Sequence, residues 1–272
     1  MSNNTSHSYI LQGGKAGSDR LTVLANATWP TSWSFLIEAG LTQGMRCLDI
    51  GCGNGAISTK IAQLIGPDGS VLGLDMDRSA IDIANLKAQQ LNVQNVSFKT
   101  FNIEQEVVDN HQKYDFIYLR LLLSHINNPQ AVLHKLKGNL SLNGILAIED
   151  VQFDGHFCHP PCAAFDRYVE LYKKAAESRG ANANIGPQLN TTLKDAGYAQ
   201  VHLNVINPTF NTGDGKLMAL LTIQNIKNAV LQAGLISEVD IENIIKELES
   251  FTEAPNTMMS IPRFFQYWAK CT

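Results

Sequence analysis

Between Met45 and Val151 the apolar residues follow two alternating rhythms: short β-branched runs, and longer segments in which they return every three or four positions. The pattern predicts strands at 45–50, 70–75, 96–101, 114–119 and 144–151, with helices at 56–65, 79–91 and 129–140. Gly66-Pro67-Asp68-Gly69 ends the first helix, and the second places Ile81, Ala84 and Leu91 on one face. Strands alternating with helices in this way predict βαβ units and a mostly parallel sheet.

After Val151 the rhythm changes. Residues 153–161 are rich in aromatic, His and Pro residues, and 162–178 predicts an amphipathic helix outside the alternation, an insertion. A helix at 186–196 and a strand at 200–206, ended by Asn207-Pro208, resume the pattern. Residues 212–250 read as helical again, and 262–270 as a final aromatic-rich strand. The expected architecture is α/β: a helical N-terminal segment (1–44), a core (45–151 and 186–272) with about seven strands, and two helical excursions (152–185 and 212–252). Ligands of doubly wound sheets bind at the carboxyl ends of the strands, so both excursions are expected to form a cap over one crevice.

Composition narrows the function. Of 272 residues 44% are hydrophobic and 17% charged, enough apolar side chain for a sizeable core. A net charge of -4 without any run of Lys and Arg argues against a nucleic-acid partner. No apolar stretch approaches the roughly 18 to 20 residues of a membrane span, and Met1 to His7 is polar, so the expected location is cytoplasmic. The cysteines, Cys47, Cys52, Cys158, Cys162 and Cys271, are odd in number and the first two fall beside or inside a Gly-rich turn, which fits thiols better than bridges. The pattern sets no oligomeric state.

The strand at 45–50 runs directly into Gly51-Cys52-Gly53-Asn54-Gly55 and then a helix. Glycine is needed in such a turn for unusual backbone angles and for close approach of a ligand to the main chain. Gly51, Gly53 and Ala56 also fit the dinucleotide pattern G-x-G-x-x-G/A, so the turn alone admits an NAD(P)-dependent oxidoreductase. Two features favour a different adenosine-bearing cofactor: Asp49 just before the turn, and Asn102-Ile103 ending the third strand, where an amide could read adenine and an aliphatic chain cover it. Asp75, closing the second strand, can bind a ribose diol in either case. No Tyr-x-x-x-Lys pair follows the core to support hydride transfer.

These residues carry a family resemblance. Leu48 to Gly55 resembles the first motif of class I S-adenosylmethionine-dependent methyltransferases, and Gly73-Leu74-Asp75-Met76-Asp77 the second-strand motif. Tyr114 to Leu121, Leu123-Ser124-His125-Ile126 and Leu142 to Leu146 resemble the small-molecule branch related to ubiquinone and menaquinone biosynthesis methyltransferases. The resemblance covers about Met45 to Val151. It implies a Rossmann-like class I methyltransferase fold with an antiparallel last strand, S-adenosyl-L-methionine as cofactor, and methyl transfer to an O, N, S or C nucleophile of a small, partly apolar acceptor.

Carried over by position, Asp49 and the backbone of Gly51, Cys52, Gly53 and Gly55 are implied to line the methionine part and ribose. Asp75 is implied to bind the ribose hydroxyls, Met76 and Ile103 to pack on adenine, Asn102 to take its amino group, and Leu119 and Arg120 to border the methionine. Asn102 stands where the family usually has Asp, and its amide oxygen can accept the same hydrogen bond. Tyr9-Ile10-Leu11-Gln12 to Arg20-Leu21 resembles a subgroup pattern, Tyr-x-Leu-Gly followed by Glu-x-x-Arg-Leu, with Gln12 and Gly17 replacing its Gly and Glu. That implies a helix folded over the cofactor, with Tyr9 near the sulfonium and Arg20 near the cofactor carboxylate. The alternative is a tail leading to a core helix.

Methyl transfer asks mainly for positioning and exclusion of water. His125, after the fourth strand, is the candidate general base for a hydroxyl acceptor, or else an ordinary helix histidine. His156, Cys158, His159 and Cys162 are spaced closely enough to be offered to zinc, but pocket lining in the cap, with His159 and His156 as polar contacts, or a structural role is the stronger expectation, and no metal site is expected. Phe264, Phe265, Tyr267 and Trp268 are expected to pack in the last strand, Trp29 and Trp33 either to pack the N-terminal helix or to face the pocket, and Glu238 to Glu249 to be a solvated helix face. The Asn/Asp-Pro-Pro-aromatic signature of exocyclic-amine methylation is absent after the fourth strand, where Arg120-Leu121-Leu122-Leu123 stands. A cofactor-binding regulatory protein without turnover is a further alternative.

Overall fold

The computed structural model describes residues 14–109 and 111–271. A long helix, α1 (Gly14–Ala39), precedes a regular alternation: β1 (Arg46–Ile50), α2 (Ala56–Ile65), β2 (Ser70–Asp75), α3 (Arg78–Gln90), β3 (Val96–Thr100), β4 (Tyr114–Arg120), α4 (Pro129–Lys137) and β5 (Leu140–Gln152). Then come β6 (Cys158–His159), α5 (Ala163–Glu177), α6 (Leu189–Asp195), β7 (His202–Ile206), β8 (Thr209–Phe210), α7 (Met218–Gln232), α8 (Glu238–Glu253), β9 (Met258–Ser260) and β10 (Arg263–Lys270). Local chemistry marks the helix starts: Asp77 accepts from Ser79 N and Ala80 N, Asn128 from Ala131 N ahead of Pro129, and Ser237 from Asp240 N.

Seven strands form one sheet in the order β3-β2-β1-β4-β5-β10-β7. All neighbours are parallel except β10, which runs antiparallel to both β5 and β7. This is the Rossmann-like class I fold with its antiparallel last strand. Side chains alternate across it: Phe116 and Tyr118 pack with α1 and α2 on one face, Ile117 and Leu119 with α4 and α6 on the other.

Three differences from the sequence reading have local causes. The strand expected at 144–151 already begins at Leu140, because Tyr114 pairs with Leu140 before an irregularity in the register restores pairing at Phe116 and Ile145. The helical stretch expected at 212–250 is broken into α7 and α8, since Gly234 takes a left-handed conformation and Ser237 caps a new helix. A second sheet, β6-β9-β8, went unforeseen; its strands have two or three residues each, too short to show a period of two. It ties the roots of both excursions together, with Ser260 N donating to Phe157 O at 2.8 Å and Ile261 N to Pro208 O at 3.0 Å.

The excursions have their own core, in which α5, α7 and α8 pack through Phe165, Leu171, Ile223, Ile226, Ile241 and Leu248. The acidic run 238–249 is the solvated side of α8, whose buried side carries Ile241, Ile244, Ile245 and Leu248. Helix α1 is shared: Leu24 enters this cap core, while Ala25, Phe35 and Leu36 enter the core on the sheet. Trp33 is 46% exposed, and the partly buried Trp29 packs against the core on the sheet under the ammonium of Lys60.

A polar row holds α1 to the sheet. Arg120, Glu149 and Gln266 are direct register neighbours on β4, β5 and β10, and Asn204 on β7 continues the row. The Glu149 carboxylate, 0% exposed, accepts from Tyr118 Oη (2.8 Å), Gln266 Nε2 (2.6 Å) and, from α1, Ser32 Oγ (2.7 Å). Arg120 supplies the counter-charge 3.3 Å away and donates to Thr28 Oγ1 of α1 at 2.6 Å. Removing one partner of a buried ion pair leaves the other charge uncompensated, at about 3–5 kcal/mol. Glu149→Ala is therefore expected to lower unfolding stability by about that amount in urea titration, and Ser32→Ala by only about 1 kcal/mol; equal, small effects would show that the row carries no weight.

Candidate functional site

A cavity of about 1280 Å³ opens at the carboxyl ends of β1, β2 and β4, between α1 and the excursions. It exceeds the roughly 300–1,000 Å³ usual for a single small-molecule pocket, leaving room for two molecules side by side.

One end is built by the turn Gly51 to Gly55. Gly51, Gly53 and Gly55 all have positive φ, at 76°, 53° and 72°, and so form the sharp β-to-α reversal. They serve different ends. Gly51 and Gly53 line the cavity, whereas Gly55 caps α2 and lies so close to the next layer that a Cβ there would stand 2.6 Å from Phe98 Cζ and 2.8 Å from Ala84 Cβ. Gly55 is a packing glycine. Asn54, which the sequence offered only as a turn residue, reaches out to α1: its Nδ2 donates to Ser18 O and Oγ and to Thr22 Oγ1 at 2.8 to 3.0 Å.

Acidic groups gather around this turn. Asp49 is buried against Ser58, whose Oγ donates to it at 2.5 Å, and burial lifts its carboxyl to about 6. Asp75, also raised by burial, accepts from Gly53 N (2.8 Å) and Asp77 N (2.9 Å) while facing the cavity. Beyond it stand Met76, 45% exposed, Asn102 and the buried Ile103. Asn102 Oδ1 accepts from Glu104 N at 3.0 Å, which fixes the amide beside the end of β2.

Where the cavity meets the excursions, the turn after β4 carries His125. Asp150, fully buried, accepts from Ser124 N at 3.1 Å and from Val151 N at 2.9 Å, so it clamps the start of that turn. Burial raises Asp150 to about 6. Burial first, and the Arg20 guanidinium second, lower His125 to about 4, so the imidazole is neutral at neutral pH. Arg20 is itself only 8% exposed, lines the cavity and forms no ion pair with a carboxylate among the described residues.

The fold thus brings together Arg20, Asp49, Gly51, Cys52, Gly53, Asp75, Met76, Asn102, Ile103, Arg120 and His125 around one cavity. Three expected residues stand apart. Leu119 is 0% exposed and packs in the core with Leu48 and Ile50, Gly55 packs against Phe98 of β3 and Ala84 of α3, and His159 is an exposed residue of β6 outside the cavity lining. Tyr9 lies outside the described residues. Of the cap histidines it is His156 that reaches the cavity, where Nε2 donates to Ser260 O at 2.8 Å and burial drives it to about 3. Tyr168, Tyr172, Met218 and Thr222 complete the wall. Sequence reasoning missed them because an amphipathic helix shows which face is buried, not that a cavity lies inside it. Phe264 belongs to both settings, buried in the last strand and lining the cavity. Among the described residues no group of three or more His, Cys, Asp or Glu is arranged to hold a metal ion, and the five cysteines are free thiols.

A model of a methyltransferase domain matches residues 41–197, more than half the chain. Ubiquinone biosynthesis O-methyltransferase of Acinetobacter baumannii is 33% identical over 95 residues, 35% of this chain and 39% of that relative. The matched stretch therefore spans well under half of that relative's length. Among solved structures, Haemonchus contortus phosphoethanolamine N-methyltransferase 2 with bound S-adenosyl-L-methionine superposes with a TM-score of 0.55 at 17% identity, covering 88% of this chain and 52% of that one. The [4+2]-cyclase SpnF superposes with a TM-score of 0.51 at 16% identity, covering 96% and 85%. Likeness at this level shows a shared fold, and a fold carries more than one chemistry.

The buried Asp150 gives the site a pH signature. Its folded-state value, about 6, lies above the ordinary aspartate value of 3.8, so the folded protein binds more protons than the unfolded chain between those limits. Stability from this group is therefore present below about 4 and lost as pH rises through 6. Asp150→Asn removes that pH-dependent loss. Relative to the parent protein the variant is expected to be more favourable at pH 7 than at pH 4 in parallel urea titrations, and a pH-independent difference contradicts the assignment.

Proposed function

Because this chain belongs to the methyltransferase-domain family, we propose that it transfers the methyl group of S-adenosylmethionine to a small-molecule acceptor held at the cap end of its cavity. The observation that carries the reading is the composition of one cavity wall: a glycine turn, Asp75 and Asn102 on one side, and on the other a buried arginine without a carboxylate partner among the described residues. The donor set fits the cofactor's parts. Asp75 suits a ribose diol, Asn102 with Met76 and Ile103 an adenine, Asp49 and the Gly51 to Gly53 backbone the methionine portion, and Arg20 its carboxylate.

When bound, S-adenosylmethionine supplies an activated methyl group on a sulfonium. The protein's own part is to hold both molecules in line and keep water out, and α1 and the excursions cover the cavity to that end. Arg120, bordering the same space, keeps its guanidinium on Glu149 and Thr28, so it shapes the wall rather than offering a free charge. His125 is the group able to accept a proton from a hydroxyl acceptor. Its depressed pKa makes it a weak base, which suits an acceptor that needs orientation more than deprotonation. His159 is not part of this proposal, as it is exposed outside the cavity. No helix among the described residues is long and apolar enough to cross a membrane, and five free thiols suit a reducing compartment such as the cytoplasm.

Calorimetry separates this reading from the dinucleotide alternative. S-adenosylhomocysteine is expected to bind and NAD not to. Arg20→Ala and Asp75→Ala should each weaken S-adenosylhomocysteine by about ten- to a hundredfold, the worth of a charge-assisted hydrogen bond. Binding of NAD without S-adenosylhomocysteine would overturn the proposal.

A further inference from the structure

The methyl-transfer reading leaves the acceptor's chemistry open, and the cap end of the cavity constrains it. That wall is made of Phe153, Tyr168, Tyr172, Met218, Ile261 and Phe264. Phe153 and Tyr172 stack with ring centroids 3.9 Å apart and planes within 3°, and Tyr168 meets the His156 ring edge-on at 5.6 Å, so the surface is held by its own contacts.

Two of the polar side chains at this end bond within the protein, while the buried His156 Nδ1 has no hydrogen-bond partner among the described residues and stands as a neutral acceptor on the wall. Thr222 Oγ1 donates to Met218 O at 2.6 Å and His156 Nε2 to Ser260 O at 2.8 Å, while burial keeps the imidazole uncharged. The acidic residues of the lining, Asp49, Asp75, Asp77 and Glu104, belong to the ends of β1, β2 and β3; among the described lining residues the excursions contribute none. Their one lining cation, Arg179, is already engaged, and Arg20 is assigned to the cofactor carboxylate in the reading on which this inference rests.

We infer that the acceptor is a neutral, largely apolar, ring-bearing molecule, and that the cap end selects against ammonium- and phosphate-bearing compounds. An ammonium entering there gives up its hydration and meets no carboxylate from the excursions, and a phosphate meets only the already engaged Arg179, so the wall discriminates by leaving the wrong acceptor poorly paired. The apolar ring loses nothing by the same transfer and gains contact with the aromatic wall.

Three probes with one ring and three charges test this: 2-naphthol, 2-naphthylmethylamine and 2-naphthyl phosphate, each titrated by fluorescence into protein saturated with S-adenosylhomocysteine. 2-Naphthol is expected to bind about tenfold or more tightly than either charged probe. Met218→Glu, which puts a carboxylate on the wall, is expected to shift the preference toward the amine. Should that variant fail to fold, the comparison on the parent protein still decides. Equal or tighter binding of a charged probe, or no binding of 2-naphthol to the saturated complex, overturns the inference. Failure of S-adenosylhomocysteine itself to bind is a different result: it removes the methyl-transfer reading, and this inference with it.

Discussion

A carboxylate with no exposure to water, Glu149 in the middle of the sheet, must find all its partners inside the protein. The arrangement of the molecule follows from how it does so. Parallel pairing of β4 with β5 and antiparallel pairing of β10 with β5 bring Arg120 and Gln266 to either side of it, and Asn204 Nδ2 closes the row by donating to Gln266 Oε1 at 2.9 Å. Two further donors complete the set, Tyr118 from β4 and Ser32 from α1. The row can be satisfied only when α1 lies across the sheet, which makes the helix part of the site's wall rather than an appendage.

With α1 fixed, the cavity acquires two unlike ends. Its outer half meets the glycine turn through Asn54 and places Arg20 beside His125, while Leu24 joins the core of the excursions. The polar end collects carboxylates and the glycine turn, the cap end aromatic rings. Two consecutive residues of β5 serve opposite sides of this arrangement, since successive side chains of a strand point to opposite faces. Glu149 anchors α1, and Asp150 clamps the turn that carries His125.

Much of the sheet was legible because its signals are local. Buried strands of a parallel sheet are short apolar runs, the helices between them have strong periodicity, and the turn at Gly51 to Gly55 announces itself by backbone demands no other residue meets as cheaply. The break between α7 and α8 also had local signs in Gly234 and Ser237, which the continuous apolar periodicity on both sides overrode. The two-residue strands β6 and β8 had none, because they exist only through pairing with β9, about a hundred residues of chain being folded back to bring the first of them there.

For the site, residue type and spacing alone determined the glycine turn, the acidic residue closing β2 and the amide after β3, since each sits at a strand end whose place in an alternating fold is fixed by topology. Which residues share the cavity was decided only by tertiary structure. Gly55 and Leu119 belong to the same motifs as their cavity-facing neighbours but are turned into packing, and of two histidines three positions apart His156 faces inward while His159 faces solvent. Arg20 acquires its significance from burial opposite His125, and Tyr168, Tyr172 and Met218 from a cavity enclosed between elements far apart in sequence. Sequence pattern records which side of an element avoids water, whereas an enclosed cavity is a property of several such sides meeting, and that meeting is set by long-range packing.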